Sequence, residues 1–144
     1  MAKEVTLDSS VLVSAFVKED RFRPVAFRVM EKVFLGQYHV VTSAIVPVEV
    51  CGAISRRAGV DEAVSVKRQL DKWENMNFIA YSDLSGRRRR EATEIAVKFK
   101  LKGTDAIVIQ AERERKAVLV TFDEEMAEKA KTIVEVLALE DFMK

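Results

Sequence analysis

Four acidic residues fall where short apolar runs give way to helical patterns. Asp8 directly follows Val5-Thr6-Leu7, and Asp123 closes Val118-Leu119-Val120-Thr121-Phe122. Glu49 lies in the first turns of the helix expected after Val40-Val41-Thr42, among Ile45, Val46, Val48 and Val50. Asp105 follows Gly103-Thr104 and opens Ala106-Ile107-Val108-Ile109. In open parallel sheets the functional crevice lies at the carboxyl ends of the strands, so all four can face one edge. Each also has an ordinary reading alone. Asp8 and Asp123 suit helix N-caps, Asp105 a first-turn acid, and Glu49 an exposed helix residue paired with Lys or Arg. Together, with no Lys or Arg inside any of the four segments, they would repel unless a cation neutralised them. Oxygen-only ligands select hard cations, Mg²⁺ or Mn²⁺, and such sites typically serve phosphoryl chemistry.

The elements that must position these acids follow from periodicity. Short β-prone runs at Val5–Leu7, Val40–Thr42, Phe78–Ala80, Ala117–Thr121 and Thr132–Val136 alternate with helical patterns. A helix over Pro24–Leu35 has Val25, Val29 and Val33 at helical spacing, with Phe27, Met30 and Phe34 widening the face. Ser43 is placed to cap a helix running to about Arg57 and ended by Gly59. Asp61 is placed to cap the next, to about Trp73. Ala92, Ile95, Ala96 and Phe99 follow i, i+3, i+4, i+7, with Gly103 expected to close that helix. Strands alternating with helices of this length require parallel pairing. The expected fold is therefore α/β: a three-layer sandwich, with a central parallel sheet of about five strands and helices on both faces. No linker, repeat or low-complexity tract divides the chain, so residues 1–144 read as one domain.

Composition narrows the classes. With 49% hydrophobic and 33% charged residues, the chain is too apolar for disorder and too charged for a membrane protein. Met1-Ala2-Lys3-Glu4-Val5 has no apolar signal core, and a cytoplasmic location is expected. One Cys and one His exclude a disulfide framework and a Cys-based zinc cluster, and argue against a His triad. Cys51 reads as core filler, and His39, Trp73 and Phe78 as structural. Arg87-Arg88-Arg89-Arg90 spread over about 300° of a helix. Arg87–Glu91 and Arg90–Glu94 form i, i+4 pairs, so a solvated face is favoured over an RNA track. Arg56, Arg57, Lys98, Lys100 and Lys102 are other candidate phosphate contacts, and equally ordinary complements of helix C-termini. The surplus apolar surface of Pro24–Leu35 suits a dimer interface or a groove for a partner helix.

Four segments resemble the PIN-domain family, especially the VapC-type toxins of prokaryotic toxin–antitoxin pairs. They are Leu7-Asp8-Ser9-Ser10, Ser43-Ala44-Ile45-Val46-Pro47-Val48-Glu49, Gly103-Thr104-Asp105-Ala106 and Val120-Thr121-Phe122-Asp123. Their order and spacing span essentially the whole chain. The resemblance implies a metal-dependent endoribonuclease, with Asp8, Glu49, Asp105 and Asp123 as catalytic, metal-binding acids for one or two Mg²⁺ or Mn²⁺ ions. Ser10 and Thr121 match hydroxyls that support the acids, and Arg56, Arg57, Arg87 and Lys102 are weak RNA-binding candidates. A metal-activated water would cleave RNA to leave 5′-phosphate and 3′-hydroxyl ends. The resemblance also implies a homodimer and a cognate antitoxin. A bulky residue, commonly Phe, often follows the last acid in the family; here it is Met126. Glu124 and Glu125 are possible extra ligands, although solvated helix acids fit them better.

Alternatives are a stand-alone RNA-processing nuclease and a non-catalytic RNA-binding module. A haloacid-dehalogenase-like phosphatase needs a second Asp where Ser10 stands. A receiver domain needs a mid-sheet phosphoacceptor and a late Lys, neither of which is evident. The formal charge of +1 gives no global footprint of a nucleic-acid binder. Counting the four acids with their cations leaves 19 of the 23 acids against 24 basic residues, a surplus of five.

Overall fold

The computed structural model describes residues 1–143. Five parallel strands are ordered β3-β2-β1-β4-β5. They are β1 (Lys3–Leu7), β2 (Tyr38–Ser43), β3 (Ile79–Ser82), β4 (Val118–Val120) and β5 (Val136–Leu137). The helices are α1 (Ser9–Phe16), α2 (Arg23–Phe34), α3 (Ile45–Ala58), α4 (Val60–Asn75), α5 (Gly86–Phe99), α6 (Gly103–Arg115) and α7 (Glu124–Ala130). A 3₁₀ turn, Leu139–Phe142, follows β5. This is the expected three-layer α/β sandwich. From β1 the chain moves one way to β2 and β3, then jumps back across to β4 and β5. With right-handed crossovers, α1–α4 cover one face and α5–α7 the other. The direction reverses between β1 and β4, whose carboxyl ends carry Asp8 and Asp123.

The sheet is apolar because both faces are covered. Val5, Leu7, Val40, Leu119 and Val120 are fully buried, and Val11, Val29, Val46, Val50, Ala106 and Ile109 seal them from the helices. No described helix is long and apolar enough to cross a membrane.

Several boundaries differ from the sequence expectations. Gly103 does not close α5; it is the first residue of α6. The end of α5 is made by Lys100, left-handed at φ 56°, whose N–H and that of Leu101 both reach Ala96 O. The expected fifth strand, Thr132–Val136, shrinks to Val136–Leu137. Ile133 and Val134 instead donate to Ala130 O at 2.8 and 2.9 Å, winding the chain out of α7. Gly59, at φ 94°, ends α3 and also caps α4, so Asp61 sits within the first turn of α4. Ser43 precedes the cap position Ala44, yet its hydroxyl accepts from Ile45 N–H at 3.2 Å. In α2, Phe27 and Phe34 remain 50% and 45% exposed, although Phe34 packs on Trp73 and Phe78 and Phe27 lies under the Arg23 guanidinium.

Candidate active site

Asp8 is the fixed point of the site. It ends β1, caps α1 and is only 6% exposed. Its Oδ1 accepts from Ser10 N–H at 3.0 Å and from the Ser10 hydroxyl in a short contact. Its Oδ2 accepts from the Thr121 hydroxyl at 2.6 Å. Both hydroxyls extend the network across the sheet. Ser10 Oγ accepts from Phe122 N–H, and Thr121 Oγ1 from Asp123 N–H, each at 3.1 Å. Ser10 and Thr121 therefore tie the acid end of β1 to the acid end of β4. Asp123 caps α7 through Met126 N–H, and Met126, the residue that stands for the family's bulky one, is buried in the core.

Asp105 is the common neighbour of the other acids. It lies half-buried in the first turn of α6. Burial raises its pKa, and the charge of Asp123 and then Glu125 adds to the rise, while Lys102 and Lys129 oppose it. Asp8 is pushed up to about 6, first by burial, against the Ser10 and Thr121 hydrogen bonds, with Asp105 adding repulsion. Glu49 is raised by burial first and then by the charge of Asp105, partly offset by the nearby Thr104 hydroxyl. Asp105 is thus near enough to Asp8, Glu49 and Asp123 for their charges to act on one another. Sequence reasoning missed Thr104, although it adjoins Asp105. It also missed Lys129, which donates to Glu125 at 3.0 Å and to Lys100 O at 2.9 Å.

None of Asp8, Glu49, Asp105 or Asp123 forms a salt bridge among the described residues. Nor do any three acids, as their side chains stand, close into a ready-made ion cage. The donor set nevertheless fits a hard divalent cation: oxygen atoms only, repelling one another and partly desolvated. Such an ion would relieve the repulsion that lifts Asp8, Glu49 and Asp105.

The basic candidates separate clearly. Arg56 lines a groove of about 350 Å³ that begins at Glu49. Lys102 lies beside Asp105. Arg57 turns to Asp20 at 4.0 Å. Arg87 binds Glu91 and Glu114 at 2.8 and 2.7 Å, the first being the expected i, i+4 pair, and Arg88 clasps Glu114 through Nε and Nη2. A larger cleft, about 680 Å³, lies along α5 and α6 beside this network, away from the acids. Its walls mix both charge signs without convergent donors, so the chemistry assigns the site to the acids and not to the larger space.

A family model described as PIN domain matches residues 5–132. No curated protein matches the chain in sequence. Solved structures share the fold. The chain superposes on VapC20 of Mycobacterium tuberculosis, described as a sarcin–ricin-loop-cleaving toxin, with TM-score 0.72 and 18% identity. That alignment covers 86% of this chain and 93% of the other. It superposes on PAE2754 of Pyrobaculum aerophilum with TM-score 0.65 and 20% identity, over 97% and 92%. VapBC2 of Rickettsia felis, solved bound to a fragment of its promoter DNA, gives TM-score 0.67 and 15% identity, over 94% and 98%. The acids at the switch point of the sheet and the match along almost the whole chain lead to one assignment: this protein belongs to the PIN-domain family.

Proposed function

We propose that the chain, as a single domain of residues 1–144, is a divalent-metal-dependent endoribonuclease. We further propose that it is the toxin of a type II toxin–antitoxin pair, acting in the cytoplasm. The observation that carries the nuclease reading is the hydrogen-bonded joining of Asp8 and Asp123 at the ends of adjacent strands through Ser10 and Thr121, with Asp105 acting on both and no salt-bridge partner for any of these acids or Glu49. Four uncompensated carboxylates at a sheet's switch point are costly unless a cation completes them. Asp8, Glu49, Asp105 and Asp123 would hold one or two Mg²⁺ or Mn²⁺ ions. A bound ion would supply neutralisation of the scissile phosphate and easier deprotonation of an attacking water.

The chain's own contribution is placement. Ser10 and Thr121 donate to opposite oxygens of Asp8 and fix its plane. The backbone of α6 presents Asp105 half-buried in its first turn, just before the buried Ala106. Lys102 lies beside the acids, where a phosphate oxygen can meet it.

The partner reading rests on the exposed aromatic face of α2 and on relatives solved as toxin–antitoxin complexes. A homodimer and a cognate antitoxin would cover Phe27, Phe34 and Leu35, and light scattering of the isolated chain tests the dimer. The nuclease reading is tested with single-stranded RNA in Mn²⁺ or Mg²⁺. Asp105→Asn should lose at least about 100-fold in rate, because even outer-shell changes at metal sites cost about 10–100-fold. Chelator should abolish wild-type cleavage. Full activity in the variant, or in excess chelator, would sink the proposal.

A further inference from the structure

The groove beside Glu49 is built from two helices. On α3, Glu49, Gly52, Ala53 and Arg56 line it at i, i+3, i+4 and i+7. On α1, Ser9 and Val13 face them one turn apart. An acid and a base thus stand on one helix face about 10 Å apart along the axis. Between them are the two smallest side chains available. A Cβ placed on Gly52 would meet nothing nearer than Arg56 Nη1 at 3.5 Å. The guanidinium therefore lies back over the preceding turn, toward Glu49, in the direction helical side chains lean.

Arg56 has no ionic partner among the described residues, whereas its neighbour Arg57 is turned to Asp20. Val48, 67% exposed beside Glu49, and Val13 give the same space apolar surface. The groove is about 350 Å³, toward the small end of ligand pockets, which run from about 300 to 1,000 Å³. It reaches the acids through Glu49, which forms part of its wall. A free guanidinium, an apolar wall and the reacting centre in line match the three parts of a nucleotide chain: phosphate, base or sugar, and scissile linkage.

We infer that the α1–α3 groove is a subsite for the nucleotide next to the scissile phosphate of single-stranded RNA. Arg56 grips the adjoining phosphate, and Val13 and Val48 pack on the base or sugar. Arg56 acts on binding and not on the chemical step. The inference rests on the nuclease reading and deepens it.

The test is Mn²⁺-dependent cleavage of a short single-stranded oligoribonucleotide, with binding measured in the Asp105→Asn background. Arg56→Ala should raise KM and Kd about five- to tenfold and leave kcat within about twofold. It should also cut the dependence of log K on log salt by about 0.7, the share of one phosphate contact. Arg56→Lys should restore the salt slope. Gly52→Leu, which fills the groove and favours the helix, should raise KM comparably without lowering the melting temperature. A neutral methylphosphonate at the adjoining linkage should reproduce the Arg56→Ala effect and make that substitution silent. If wild type cleaves but Arg56→Ala and Gly52→Leu bind and cleave as it does, the subsite is wrong and the nuclease stands. A fall in kcat alone also overturns it. If wild type neither binds nor cleaves RNA, both readings fall.

Discussion

Asp8→Asn should make the metal-free protein more stable while removing its activity. Asp8 sits at 6% exposure, and its pKa rises from 3.8 to about 6 because water is excluded and Asp105 is near. A gap of about two units costs about 3 kcal/mol when the group is ionised in the folded state at neutral pH. Asparagine carries no charge, so that cost disappears. Part of the gain is lost again. One Asn oxygen can still serve Ser10, but its NH₂ replaces the oxygen that accepts from Thr121. Reversing that hydrogen bond costs about 1 kcal/mol, which leaves a net gain of about 1–2 kcal/mol. For a chain of this size that is about 3–8 °C in Tm. The sign follows from proton binding: the folded protein holds the Asp8 proton more tightly than the unfolded chain does. Its contribution is therefore fully present below about pH 4 and is lost as pH rises through about 6. Urea and thermal denaturation in chelator across that range should show the variant about 1 kcal/mol less stable than wild type in acid and more stable by neutral pH. Adding Mn²⁺ at about 100 times its Kd should stabilise wild type by about 2.7 kcal/mol and the variant hardly at all, reversing their order. A variant no more stable than wild type at about pH 7.5 in chelator refutes the burial argument. Equal stabilisation of both proteins by Mn²⁺ refutes the ligand role of Asp8.

Glu112, 2% exposed with Oε2 unpartnered, is raised to about 7 chiefly by burial. Glu112→Gln should gain about 1–2 kcal/mol near pH 8, with no difference below about pH 4.5, as read by urea midpoints. An equal offset at both pH values would show that charge is not the cause. Glu114 has the opposite sign. Arg88 and Arg87 hold it down to about 2, so its contribution is present above about pH 4.5 and lost as pH falls toward 2. Because the pair lies at the surface, Glu114→Gln should cost only about 1 kcal/mol, and less in high salt. A loss that does not shrink with salt would point to packing instead.

Asp8 and Asp123 were readable because each closes an apolar run at the end of a strand, a pattern that survives without knowledge of neighbours, whereas Glu49 and Asp105 stand inside helices α3 and α6. Asp8 and Asp123 come together through parallel topology, since they end adjacent strands. What escaped was local. Nothing in Lys100 announces a left-handed residue, so Gly103 was the natural choice for the end of α5. Thr132–Val136 has strand composition, but the two bonds to Ala130 O capture its first half. The basic residues show the limit most plainly. A run of four arginines draws the eye, yet two of them are spent on Glu114 and Glu91. The periodicity of α3 does separate Arg56 from Arg57: two turns past Glu49 returns to the same face, and one residue more rotates away by about 100°.

Helix α6 explains how the fold tolerates its site. Its first turn carries Asp105, one of the acids whose ionised forms the fold disfavours, and it continues through the buried Ala106, Val108, Ile109 and Ala111. Farther along, Gln110 donates to Glu91 and Glu114, and Glu114 receives Arg87 and Arg88 from α5. Apolar burial and a satisfied polar network therefore hold the helix along its length, while its first turn carries repulsion. Such an arrangement keeps the acids in place without a cation, and under the proposed metal role it gains free energy when one binds. The near-neutral total charge conceals this division. Paired charges gather where α5 meets α6, whereas Asp8 and Asp123, without salt bridges, stand at the carboxyl ends of β1 and β4.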